Sequence, residues 1–83
     1  MKELEESFIG KGEVKGFKFT LLMSNPRGFM YEVVNGNLVY YEVFLRKVHS
    51  VYGHVMYPRS KSFGVWAWSV FGYDKALGRF ERL

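Results

Sequence analysis

Cysteine is absent from the 83 residues, so no disulfide holds this chain together. Only two histidines are present, which leaves no ligand set for a structural zinc site. No apolar run approaches the ~18 residues that span a bilayer, and residues 1–10 are too acidic and polar for a secretory leader. These absences point to a cytoplasmic protein without a membrane partner. Catalytic signatures are missing as well. The serines fall in no G-x-S-x-G, and Gly10, Gly12 and Gly16 in IGKGEVKG match neither phosphate-loop spacing. His49 and His54, five positions apart, fall on opposite faces of a strand and have no H-E-x-x-H partner. The chain is therefore expected to be no enzyme, with no cofactor and no metal.

Aromatic rings are abundant instead: 8 Phe, 6 Tyr and 2 Trp. A single domain of this size buries only about 60–65 % of its unfolded surface, so dense ring packing has to carry the core.

The organising stretch is residues 29–47, FMYEVVNGNLVYYEVFLRK. Two β-branched and aromatic runs flank Asn35-Gly36-Asn37, a strong hairpin signal because Asn and Gly tolerate positive φ. Phe29, Tyr31 and Val33 form the more apolar alternate set of the first run; Val39, Tyr41, Val43 and Leu45 form that of the second. A three-residue loop, with Gly36 or Asn37 left-handed, puts both sets on one face by opposing Val33 to Val39, Tyr31 to Tyr41 and Phe29 to Val43. Lys15–Met23 reads as a preceding half-buried strand with Phe17, Phe19, Leu21 and Met23 inward, and Ser24-Asn25-Pro26-Arg27-Gly28 as the turn between. That register leaves Lys18, Thr20, Glu32, Tyr40, Glu42, Phe44 and Arg46 on an outer face, the two glutamates solvated.

The flanks are simpler. Residues 1–10 form an acidic segment, either frayed or one helical turn over residues 1–7. Residues 49–57 are a fourth strand bent at Gly53 or an irregular connection, and residues 58–62 (PRSKS) form a cationic loop suited to phosphate. Residues 63–71 make the last strand, with Trp66 and Trp68 on one face and Phe63, Val65, Ala67 and Phe71 on the other. An N-cap at Asp74 opens an amphipathic helix carrying Ala76, Leu77, Phe80 and Leu83, its stripe expected over Phe17, Tyr31, Tyr41 and Val43. The expected fold class is α+β: an antiparallel meander of four to five strands with one carboxy-terminal helix on one face.

Net charge is +4, and no acid occurs in residues 43–73, where Arg46, Lys47, Arg59 and Lys61 alternate with aromatics. Cations neutralise phosphate while rings stack on bases, so DNA or RNA is the leading expected partner. Lys18, Arg46, Lys47, Arg59 and Lys61 would make the contacts, with Tyr40 and Phe44 as stacking residues. The alternative is protein interaction or self-association through exposed aromatics and a strand edge. YYEVFLRK at 40–47 and YPRSKSFGVWAW at 57–68, followed by DKAL, resemble short uncharacterised proteins of Bacteroides-type gut bacteria, a likeness that implies no activity. A three-stranded antiparallel sheet with a helix across it is also similar in plan to the DNA-binding domains at recombinase amino termini, where strand side chains enter the major groove.

Overall fold

The two runs around Asn35 do close into a hairpin, and a computed structural model, which describes residues 3–83, builds a five-stranded antiparallel meander around it. The strands are β1 (Ser7–Ile9), β2 (Lys18–Asn25), β3 (Gly28–Asn35), β4 (Leu38–Leu45) and β5 (Ala67–Val70), followed by helix α1 (Tyr73–Glu81). The α+β meander with its single helix is the expected fold. Its fifth strand comes from the amino-terminal segment, where Ser7–Ile9 pair with β2 rather than fraying or coiling. Met1 and Lys2, part of the expected helical turn, lie outside the described residues.

The hairpin register differs from the expected one by a single residue. Asn35 opposes Leu38, so the loop is Gly36-Asn37 alone, with Gly36 at φ 59° and, among the described residues, no non-glycine residue at positive φ. Glycine leading a two-residue loop suits the twist of a tight hairpin, and that preference outweighs alignment of the two apolar sets. Tyr31 therefore faces Glu42, Val33 faces Tyr40 and Phe29 faces Phe44. By the same parity Tyr40, Glu42 and Phe44 join the face of Tyr31, while Lys18, Thr20 and Glu32 lie on the face of Tyr41 and Val43. The expected outer surface is thus divided between opposite sides of the sheet.

Both sides are covered, which is why a sheet with apolar residues at nearly every position is tolerated. On one face Ala76 and Phe80, one helical turn apart, pack on Met30 and Val43, with Met23, Tyr41, Val70 and Leu83 around them. Nine residues of helix persist only through such packing. Phe17 and Tyr31, expected beneath this helix, belong to the other face. The helix begins two residues early, with Gly72 as its N-cap, so Asp74 sits within the first turn, where its charge complements the helix dipole.

A bulge between Leu21 and Met23 lets β2 serve both layers. Phe19 and Leu21 point to the face away from the helix, and Met23 points to the helix. The turn that follows is tight: the Asn25 side-chain carbonyl accepts the Arg27 and Gly28 amides at 2.8 and 3.0 Å, with Pro26 at the corner. Gly28 admits no side chain, since a Cβ there would stand 2.2 Å from the Phe44 carbonyl oxygen.

The second face is roofed by the amino-terminal segment and by residues 46–66. Residues 49–57 form no strand; only Val48 and Val55 bridge, and the chain turns at Gly53. The expected last strand shortens to Ala67–Val70 because residues 60–62 coil into a 3-10 turn and Phe63–Trp66 leave the sheet. The two tryptophans accordingly part: Trp66 packs on Phe44, and Trp68 lies under the Arg79 guanidinium at 4.6 Å.

Candidate binding cleft

Glu42 occupies the middle of β4, where a sheet covered on both sides would ordinarily take an apolar residue. It is 6 % exposed. Tyr40 and Phe44 flank it along the strand, and Tyr31 and Ser69 oppose it on the neighbouring strands. The Tyr57 hydroxyl, lowered onto it from the roof, donates to Oε1 at 2.5 Å. Burial raises the Glu42 carboxyl above its ordinary range, and the hydroxyls of Tyr57 and Tyr40 pull it back part of the way. Burial raises the Tyr57 phenol in turn, reinforced by the Glu42 charge.

Tyr57 holds its place through its ring. It meets Phe8, Phe19, Tyr31 and Phe44 edge-on at centroid distances of 5.3, 5.5, 5.3 and 4.9 Å. Backbone contacts fix the surrounding roof. The Met56 amide donates to the Lys47 carbonyl at 2.8 Å, the Tyr31 hydroxyl to the Glu5 carbonyl at 2.6 Å and the Leu21 amide to the Glu6 carbonyl at 2.7 Å.

Between these two roof pieces a cleft of about 890 Å³ stays open. Phe8, Ile9 and Val14 form one wall, Tyr57, Pro58 and Phe63 the other, with Glu42 and Phe19 at the floor. Lys11, Glu13 and Arg59 stand at the rim. Its size and its apolar lining around one buried polar group are those of a small-ligand site. A second hollow of about 780 Å³ lies across the Tyr57-Pro58 wall and includes His49 and His54. There the His49, Tyr52 and His54 rings stack, with His49 4.8 Å from Tyr52 and 5.3 Å from His54. His49 Nδ1 accepts the Val51 and Tyr52 amides at 3.1 and 3.2 Å.

The residues expected to contact nucleic acid do not converge. Phe44 is fully enclosed and Tyr40 is half-buried. Lys18 is exposed on the opposite side of the sheet. Arg46 is already engaged: its Nη1 donates to both Glu3 carboxylate oxygens at 2.8 and 3.0 Å, and its guanidinium rests 4.7 Å above the Phe29 ring. Lys47, Arg59 and Lys61 are exposed, but only Arg59 borders the cleft.

Glu42, Tyr57, Phe8 and Phe63 are the residues that sequence reasoning passed over. One signal for Glu42 was present: it is the single charge within the otherwise uncharged run LVYYEVFL of β4. Among the described residues no group of three or more His, Cys, Asp or Glu side chains is placed to hold a metal, and no helix is long and apolar enough to cross a membrane. No family model, curated protein or solved structure matches this chain.

Proposed function

We propose that this chain is a non-catalytic binding domain whose ligand enters the cleft between the amino-terminal segment and residues 57–63. The observation that carries this reading is Glu42, a carboxylate buried at the floor of an open cavity whose walls are apolar and whose rim is charged. Burying a carboxylate costs stability, and perturbed groups of this kind concentrate where ligands bind. A binding role is favoured over catalysis because neither histidine lines the cleft, leaving Ser60 and Ser69 without an imidazole base. Amide-resolved NMR with a panel of small aromatic compounds tests the reading. Shifts should concentrate at Phe8, Ile9, Val14, Tyr57 and Phe63, and a Phe63→Ser substitution should abolish them. Shifts scattered over the surface would rule the cleft out.

A second reading, contact with DNA or RNA, is supported by the exposed Lys47, Arg59 and Lys61 in a stretch without acids. It would run along the 58–62 loop rather than over the sheet. Phosphate contacts weaken steeply as salt rises. Binding to single-stranded and duplex DNA at two salt concentrations should show that dependence, and Arg59→Ala with Lys61→Ala should flatten it. Absence of binding at low salt removes this reading.

A further inference from the structure

Buried charges in folded proteins are paired, because an isolated ion in a poorly polarisable interior has lost its hydration with nothing in return. Glu42 lacks such a partner. Among the described residues the one ion pair is Arg46 with Glu3, so no Lys, Arg or His nitrogen neutralises Glu42. The groups that face it are neutral hydroxyls, Tyr57 donating to Oε1 at 2.5 Å and Tyr40 beside it on the strand. The carboxylate nonetheless lines the cleft and is therefore open to whatever enters.

From this missing counter-charge we infer that the cleft takes an organic cation: a primary ammonium or guanidinium carried on an apolar stem, its charged head on Glu42 and its stem between the Phe8 and Val14 wall and the Tyr57 and Phe63 wall. The inference rests on the cleft being the binding site and adds the ligand's charge and shape. Three features agree with it. The floor offers an acceptor and no basic group. The walls present Phe8, Tyr57 and Phe63, and ring faces attract cations as well as alkyl chains. Finally, the carboxylates lining the cleft, Glu5, Glu13 and Glu42, outnumber its cations, Lys11 and Arg59. An anionic ligand would instead meet Glu42 as like charge at close range.

Calorimetric or NMR titration with phenethylammonium, its neutral counterpart phenethyl alcohol and its anionic counterpart phenylacetate tests this directly. A phenylalanyl-arginine amide arm distinguishes a free amine from a basic side chain of a polypeptide. The ammonium should bind about 10- to 100-fold more tightly than the alcohol, the margin of a charged over a neutral hydrogen bond, and phenylacetate should not bind. Glu42→Gln should erase the preference for the cation, while Glu42→Asp should keep part of it. Glu5→Gln and Glu13→Gln, both at exposed positions, should weaken it less than Glu42→Gln does, and Glu81→Gln, exposed on the helix and outside the cleft, should leave it unchanged. Thermal unfolding of each variant confirms that it is folded. Equal binding of alcohol and ammonium would overturn the cation while leaving the cleft. Loss of binding in the Glu5 or Glu13 variant but not in Glu42→Gln would overturn the floor as the recognition point. No shift at cleft amides with any probe would overturn both readings.

Discussion

Tyr57 and Glu42, fifteen residues apart, are joined by a 2.5 Å hydrogen bond that ties the roof to the central strand. Removing the hydroxyl in Tyr57→Phe keeps the four ring contacts and takes from Oε1 the donor at 2.5 Å. The expected cost is about 1–3 kcal/mol, that of an unsatisfied buried acceptor. Tyr57→Ala loses the ring as well and should cost about 3–5 kcal/mol. Chemical denaturation of both variants separates the two contributions: equal losses would mean that the ring contributes nothing, and an unchanged Tyr57→Phe would mean that the hydroxyl contributes nothing.

The pH dependence of stability should carry the signature of Glu42. Its folded carboxyl lies above the ordinary value of 4.5, because burial disfavours the charged form. A raised acid stabilises the fold fully below its unfolded value, and that contribution is lost as pH climbs through the folded value. Relative to Glu42→Gln, the natural chain should therefore lose stability as pH climbs above the ordinary value of 4.5. Parallel denaturation curves of the two proteins over that range check the sign. A gap that does not vary with pH would show that Glu42 does not change its titration on folding.

At the alkaline end the relevant group is Tyr31. Burial, helped by the charges of Glu5 and Glu6, pushes its phenol up to about 12. Its contribution to stability is present below the ordinary value of 10.0 and lost as pH rises through about 12. Absorbance titration at the phenolate band should show late-ionising tyrosines, and Tyr31→Phe should remove one of them.

The hairpin register is open to a direct check. Cross-strand NMR contacts should link Val33 with Tyr40 and Glu32 with Tyr41. Gly36→Ala forces a side chain into the left-handed region and should cost about 1–2 kcal/mol. Contacts from Tyr31 to Tyr41 would instead restore the three-residue loop.

The architecture was legible in the sequence, and its polarity was not. Alternation located three strands, and the amphipathic spacing from Ala76 to Leu83 located the helix. Face assignment then turned on one residue of loop length, and aligning the more apolar sets chose wrongly because it assumed one wet side. With the roof in place both alternate sets are enclosed, so hydrophobic contrast between them carries little information. The same assumption sent Phe44 outward and made Glu42 a solvated carboxylate. The Leu22 bulge escaped for a related reason: Phe17, Phe19, Leu21 and Met23 keep perfect alternation in sequence while changing sides in space. The division of Trp66 from Trp68 depends on where β5 starts, which the uninterrupted run VWAWSVF does not mark.

His49 offers a test independent of the cleft. Because Nδ1 accepts two amides, the imidazole proton belongs on Nε2. Nitrogen chemical shifts should report that tautomer, and His49→Ala should loosen residues 50–54 while sparing the sheet. Observing the Nδ1–H form would break the proposed turn.

The kink in β2 imposes a counting rule on that strand. Upstream of Leu22 odd positions look toward the roof, and downstream they look toward the helix, so the strand behaves as two rulers joined half a step out of phase. Losing Leu22 at the joint would leave Leu21 and Met23 as neighbours on opposite faces, each in the layer it already occupies, whereas losing one residue elsewhere would hand part of the strand to the wrong layer. Length variation in β2 should accordingly be tolerated as a single loss at the joint, and elsewhere be punished in odd steps.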